Sequence, residues 1–142
     1  LDRIINFFPE EKRSQLLMDL SLNVRAMVSQ RLVPRELEDG RVAAMEILLH
    51  SPLIADLIFK GEVAAIKDIM GKSTRMGMQT FDQALFALYE SEDISYEEVM
   101  RNADSKNELR LRIKLESKRE RRSEAEFENS LQLLDETGDG MR

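Results

Sequence analysis

A chain of 142 residues, 42% apolar and 34% charged, has room for one domain with a sizeable core and not for two ordinary ones. Its formal net charge of −6 argues against a nucleic-acid module, because only local basic clusters would offset phosphate repulsion. The lack of cysteine excludes disulfides and thiolate zinc sites, and no run approaches the roughly 18–20 apolar residues that a membrane span requires. A cytosolic setting is the simplest expectation. The opening at Leu1, without Met or leader, reads as a stretch of a longer protein.

Residues 1–8 (LDRIINFF) form an expected first helix that ends at Pro9, whose ring disfavours helical geometry at Phe8. Pro9 suits the first turn of a second helix, where Glu10 and Glu11 meet the positive end of the dipole and Leu16, Leu17 and Leu20 supply the buried stripe. From Val24 the period shortens. Val24, Ala26, Val28 and Leu32 alternate with Arg25, Ser29 and Arg31, which predicts a half-buried strand stopped by Pro34. Asp39-Gly40 marks a turn, and the run 41–49 is apolar on both faces, the pattern of a strand covered on both sides. The two strands make a β-hairpin with a loop longer than the tight two-residue type.

Everything after Ser51 reads as helix. Ser51-Pro52 is an N-cap followed by proline at the first helical position, Leu53, Ile54, Leu57 and Ile58 line one face, and Gly61 suits a left-handed C-terminal cap. A further helix carries Val63, Ile66, Ile69 and Met70 and stops at Gly71, followed by a polar loop over 72–79. Thr80 with Gln83, Ser95 with Glu98 and Ser105 with Glu108 are three capping boxes. Their helices bury Phe81, Ala84, Leu85 and Leu88, then Tyr96, Val99 and Met100, then Leu109, Leu111 and Ile113. From Glu116 the character changes, and residues 116–122 (ESKRERR) are nearly all charge. Residues 116–142 are expected to form a disordered or loosely helical tail in which Leu131, Leu133 and Leu134 remain able to dock.

Candidate chemistry is sparse. Gly71-Lys72-Ser73 imitates the end of a phosphate-binding loop, yet Ile66 stands where that loop needs glycine, and the preceding pattern is helical where a strand is required. His50 has no second histidine or cysteine for a transition-metal site and no evident nucleophile to serve. The adjacent acids Glu10/Glu11, Glu92/Asp93 and Glu97/Glu98 diverge by about 100° on a helix and share no site. The basic run Lys118, Arg119, Arg121 and Arg122 is interspersed with acids and reads as a solvated face before it reads as a phosphate or lipid contact. Met76 and Met78 flank Gly77 either as gap fillers or as adaptable loop contacts. Arg25, Arg31 and Arg41 read as exposed strand-face arginines.

Four segments resemble one family, the type IV pilus retraction ATPases of the PilT/PilU type. They are LDRIINFFP at 1–9, RVAAMEILLHSP at 41–52, ISYEEVMRNADSKNELRLRIKL at 94–115 and, most specifically, GMQTFDQ at 77–83, which matches the family's GMQT-[LF]-DQ signature. The signature comprises Gly77, Met78, Gln79, Thr80, Asp82 and Gln83. LIADLIFKG at 53–61 keeps Ile54, Leu57, Ile58 and Gly61 of a motif of the AIRNLIREG kind, but Ala55 replaces its arginine, which favours the PilU branch.

The resemblance implies an α/β fold, the C-terminal part of a RecA-like P-loop ATPase domain. Residues 1–50 would end the ATPase core, 51–115 would form a helical subdomain and 116–142 the tail. It further implies a homo-hexameric motor that uses ATP and Mg2+ at the cytoplasmic face of the inner membrane. Its partners would be a PilT-type retraction ATPase and the membrane platform of the pilus, with no nucleic acid. Ile54, Leu57, Ile58 and Gly61 would be contacts between subunits or toward the platform, and the strand arginines would neutralise charge at a subunit boundary. The nucleotide-hydrolysing motifs would precede Leu1, so this stretch is expected to carry no catalytic residue, metal site or cofactor of its own. The competing reading is a non-enzymatic helical adaptor. Pilus-assembly and type II secretion relatives are disfavoured, because they usually carry a tetracysteine zinc element.

Overall fold

Proline and glycine delimit most elements of the computed structural model, which describes residues 1–119. In order they are α1 (Asp2–Asn6), α2 (Glu10–Asn23), β1 (Ala26–Pro34), β2 (Arg41–Leu49), α3 (Pro52–Lys60), α4 (Val63–Lys72), a single 3-10 turn (Thr74–Met76), α5 (Phe81–Glu90), α6 (Tyr96–Asn102) and α7 (Lys106–Glu116). The hairpin and the succession of helices match the expected pattern. Arg121, Arg122, Leu131, Leu133 and Leu134 lie outside the described residues. No described helix is long and apolar enough to cross a membrane.

Packing divides the chain into two units, one of Leu1–Leu32 with Ala43–Ala84, the other of Val33–Val42 with the chain from Leu85. The hairpin tip groups with the chain from Leu85 because it bonds to the turn between α5 and α6. Glu36 N–H donates to Asp93 O at 2.9 Å, and the Arg35 guanidinium meets the Asp93 carboxylate at 3.0 Å.

The first unit is organised around Leu48, Ile54, Leu57, Ile58, Ile66, Met70 and Met78, all buried. Ser51 caps α3 by accepting from Ile54 N–H at 3.2 Å, with Pro52 at the first helical position. Gly61 ends α3 in the left-handed conformation at φ 71°, and a Cβ there would lie 3.4 Å from Leu17 Cδ1, so α2 packs closely over the α3 terminus. Each fully buried Leu or Ile in this cluster contributes about 1.5–3 kcal/mol relative to exposure.

The strands form a two-stranded antiparallel sheet. Arg35 N–H bonds Gly40 O, and His50 N–H bonds Arg25 O, a register in which Val28 opposes Ile47 and Leu32 opposes Ala43. One face, with Met27, Ser29, Glu46 and Leu48, meets Val63, Ile66, Lys67 and Met70 of α4 around a cavity of about 60 Å3. One oxygen of Glu46 is buried there without a hydrogen-bond partner, a local cost of covering that face.

The opposite face reverses an expectation. Val28 and Leu32, read as the buried side of β1, are 60% and 53% exposed, and Ala43 is exposed while Met45, Ile47 and Leu49 are only half-buried. The alternation is real, but α4 packs on the odd-numbered side of β1. The even-numbered apolar side, and with it one face of β2, stays largely open, so β2 is not covered on both sides among the described residues.

In the second unit Val33, Leu85, Tyr89, Ile94, Val99, Leu109 and Ile113 are buried, and Tyr89 and Tyr96 meet edge to face with centroids 6.4 Å apart. The Ser95 hydroxyl caps α6 by accepting from Glu98 N–H. Ser105 does not complete its box. Its ψ of 83° departs from the 162° at Ser51 and Ser95, and no side-chain cap bond forms. Leu111 does not belong to the α7 core stripe either, since it lies on the face opposite Leu109 and Ile113 and is exposed.

Candidate functional site

Residues 77–83 form a covalent and hydrogen-bonded staple between α4, the edge of β2 and the start of α5. Gly77 closes the 3-10 turn at φ 88°, a conformation that side chains with a Cβ adopt at a cost. A Cβ at Gly77 would lie 3.5 Å from Leu49 Cδ1. Met78 then drops into the core cluster, 2% exposed. Of the two readings open for the methionines, Met78 is the filler, while Met76 stays exposed.

Gln79 pairs as a one-residue bridge with Ile47, its N–H donating at 2.9 Å and its carbonyl accepting at 2.8 Å, while its side-chain amide donates to Met45 O at 2.8 Å. That bridge occupies the outer edge of β2 and leaves β1 as the open edge of the sheet among the described residues.

Thr80 and Gln83 complete the predicted capping box. Thr80 Oγ1 accepts from Gln83 N–H at 3.3 Å, and Gln83 Oε1 accepts from Thr80 N–H at 3.0 Å. The Gln83 amide nitrogen also donates to Gly71 O at 2.8 Å, tying the last turn of α4 to the first turn of α5. Asp82 lies in that first turn of α5, where the positive end of the dipole favours a carboxylate. Phe81 is buried, and the Arg31 guanidinium lies 4.0 Å above its ring. Arg31 is therefore a packing arginine, while Arg25 and Arg41 are exposed. The bonds of Gln79, Thr80 and Gln83 thus join the last turn of α4, the edge of β2 and the start of α5.

The structure does not place the α3 set on the surface. Ile54, Leu57 and Ile58 are enclosed in the first core, and only Gly61 of that group is exposed. The apolar residues that α3 does present are Leu53 and Phe59.

Gly71, Lys72 and Ser73 do not fit a nucleotide phosphate. Gly71 is inside α4, its carbonyl is taken by Gln83, and Lys72 ends the helix with Ser73 as C-cap. Phosphate would face the negative end of a helix dipole there, the reverse of a phosphate-binding loop. The expected helix stop at Gly71 falls one residue later, at Lys72 with Ser73 as C-cap, and Gly71 is not among the positive-φ glycines Gly40, Gly61 and Gly77. Among the described residues no three His, Cys, Asp or Glu side chains converge to hold a metal ion. His50 closes the hairpin through its backbone N–H.

A second polar assembly escaped sequence reading. The Arg119 guanidinium forks onto both Glu36 carboxylate oxygens at 2.7 Å, donates to the carbonyls of Ile94 at 3.1 Å and Tyr89 at 3.3 Å, and lies 4.6 Å from the Tyr89 ring centroid. Beside it Glu90 accepts from the Ser117 hydroxyl and from Lys118 N–H. Burial pushes the Glu90 carboxyl up, but these bonds and the backbone N–H of Arg119 outweigh it and hold it below its ordinary range. Ser117, in the stretch read as solvated tail, is 1% exposed. Glu36 and Arg119 are 83 positions apart, too far for a local pattern to signal the pair.

Several known proteins resemble this chain. PilU, a type IV pilus ATPase of Pseudomonas aeruginosa, is 50% identical over 144 aligned residues, covering all of this chain and 38% of its own length. The retraction ATPase PilT of the same organism is 33% identical over 72% of this chain and 30% of itself, and a twitching motility protein of Neisseria gonorrhoeae 31% over 77% of this chain and 29% of itself. The crystal structure of the pilus retraction motor PilT with bound ADP superposes with a TM-score of 0.66 at 30% identity over 78% of this chain and 30% of its own. Legionella pneumophila DotB, at a TM-score of 0.53 and 23% identity over 70% of this chain and 27% of its own, shares the ATPase fold. No family model matches the chain. The chain thus spans between about a quarter and two fifths of the length of these relatives, and its hairpin and helices are a portion of the ATPase fold.

Proposed function

Because this chain belongs to the PilT/PilU family of type IV pilus retraction ATPases, we propose that it is part of a motor that retracts type IV pili and drives twitching motility, in the manner of the PilU branch. The observation that carries this reading is the 50% identity to PilU along the whole chain, against 33% to PilT over 72% of it. Ala55, in place of the arginine of the PilT-type motif, agrees with it.

In this proposal the whole protein binds ATP with Mg2+ and hydrolyses it through residues outside this stretch. It assembles as a homo-hexamer on the cytoplasmic side of the inner membrane and works with a PilT-type ATPase and the pilus platform. The stretch described here is mechanical and does not act on nucleotide alone. Its open β1 edge and the apolar face carrying Val28 and Leu32 support a hairpin that completes a larger sheet, since an uncovered apolar face and an unpaired strand edge are costly in a finished domain. Leu53 and Phe59 on α3, rather than the buried trio beside them, supply its subunit or platform contacts, and the staple at 77–83 couples that helical region to the sheet.

The test is complementation of a strain lacking the full-length gene, with pilus retraction measured under load. Wild type restores retraction. Val28→Asp combined with Leu32→Asp, at positions this stretch leaves exposed and therefore without harm to its own core, does not restore it at equal protein level. Retraction that survives deletion of the gene refutes the motor assignment. Full rescue by the aspartate pair refutes the place given to the hairpin.

A further inference from the structure

Helix α7 buries Leu109 and Ile113 and turns its opposite face outward. On that face Leu111 and Leu115, one turn apart, are 58% and 69% exposed. Lys106, Arg110 and Lys114 recur every four residues beside them and are exposed as well, a row with about 6 Å of rise between neighbours. Glu108, Arg112 and Glu116 fall on the other border of the leucines. There the Arg112 guanidinium pairs with Glu116 at 2.9 Å and lies 4.3 Å above the Phe86 ring. Among the described residues no ion pair engages Lys106, Arg110 or Lys114. A chain of net charge −6 thus gathers six Lys and Arg against two acids within residues 106–119.

Unpaired cations in a row beside exposed leucines are what a helix lying on an anionic bilayer requires. Apolar side chains enter the acyl boundary there, and cations meet the lipid phosphates. Lysine and arginine stems are long enough to keep their charges at headgroup level while the leucines go deeper. A protein partner fits less well, because two leucines one turn apart cover little of the roughly 800 Å2 per side of a stable interface. A second copy meeting this face about a two-fold axis would set one cation row against the other. A bilayer needs no matching contour, since each cation near its surface adds attraction separately, about fivefold in binding. The acids in excess elsewhere in the chain are repelled by the same surface, so this face is the one turned toward it.

We propose that the α7 face carrying Leu111 and Leu115 is a contact surface for a bilayer containing anionic phospholipid, with Lys106, Arg110 and Lys114 on the lipid phosphates and the two leucines in the acyl boundary. Lipid contact of this kind does not depend on the motor assignment, and it is measured without nucleotide or pili.

Full-length protein is sedimented with vesicles of phosphatidylcholine alone or of equal parts phosphatidylcholine and phosphatidylglycerol. Wild type should sediment with the anionic vesicles only, and molar salt should release it. Lys106→Gln with Arg110→Gln and Lys114→Gln keeps good helix formers on α7 and should weaken binding by about a hundredfold. Leu111→Ser with Leu115→Ser, at exposed positions outside the core, should weaken it by about tenfold. Lys12→Gln with Arg41→Gln and Lys72→Gln removes three exposed cations outside α7 and should leave binding close to wild type. Wild type that ignores anionic vesicles overturns the proposal. So does a loss in this control triple equal to that in the α7 triple, or unchanged binding in the serine pair. Wild type that is held by immobilised polyglutamate but not by vesicles, and released from it by the α7 triple, assigns the face to an acidic protein instead.

Discussion

Replacing Gln83 with alanine tests whether residues 77–83 hold the first unit together. The side chain accepts from Thr80 N–H at 3.0 Å and donates to Gly71 O at 2.8 Å, and both bonds are partly buried. A net hydrogen bond is worth about 1 kcal/mol, and stranding its buried partner adds to the loss. Losing the capping half costs about 0.5–2 kcal/mol by itself. Together Gln83→Ala should destabilise the chain by about 2–3 kcal/mol. Thr80→Val is the control, because it removes only the Thr80 Oγ1 bond to Gln83 N–H at 3.3 Å and should cost about 1 kcal/mol. In urea titrations of dilute protein, with a slope near about 2 kcal/mol/M, the midpoint should fall by about 1–1.5 M for Gln83→Ala and by about half as much for Thr80→Val. A Gln83→Ala midpoint no lower than that of Thr80→Val would show that the link to Gly71 contributes nothing, and the staple reading would be wrong.

Two further perturbations probe the same architecture. Gly77→Ala should cost about 1–2 kcal/mol; its φ of 88° is the cause, since the new Cβ at 3.5 Å from Leu49 is in ordinary contact, and Gly77→Asn should lose less, as thermal melts of the three proteins would report. The Glu90 carboxyl is held below its ordinary value of 4.5, so its contribution is present above the unfolded-state value and is lost as pH falls through the lower folded-state value. Wild type should therefore lose stability below about pH 4.5 more steeply than Glu90→Gln, and parallel acid titrations would refute the assignment.

How much of this was legible beforehand depended on how local the determinant was. Ser51-Pro52, Gly61, Asp39-Gly40 and the Thr80/Gln83 box act within four residues of themselves, and each formed as its chemistry dictates. Ser105 carries the same letters, but its backbone takes another conformation and the box stays open, because the dihedral angle belongs to the connection between α6 and α7. Gly71 read as a stop and proved to be the acceptor of a bond from Gln83, twelve positions away.

The sequence alone determined the succession of elements, the apolar alternation of β1 and the signature that marks the family, since periodicity and capping are properties of neighbouring residues. Only the tertiary structure decided which side of β1 faces α4, that Ile54, Leu57 and Ile58 are enclosed while Leu53 and Phe59 are presented, and that Arg119 closes on Glu36. Burial is a relation between distant segments. An alternating strand announces two faces, but which one is covered is settled by the helix that packs against it.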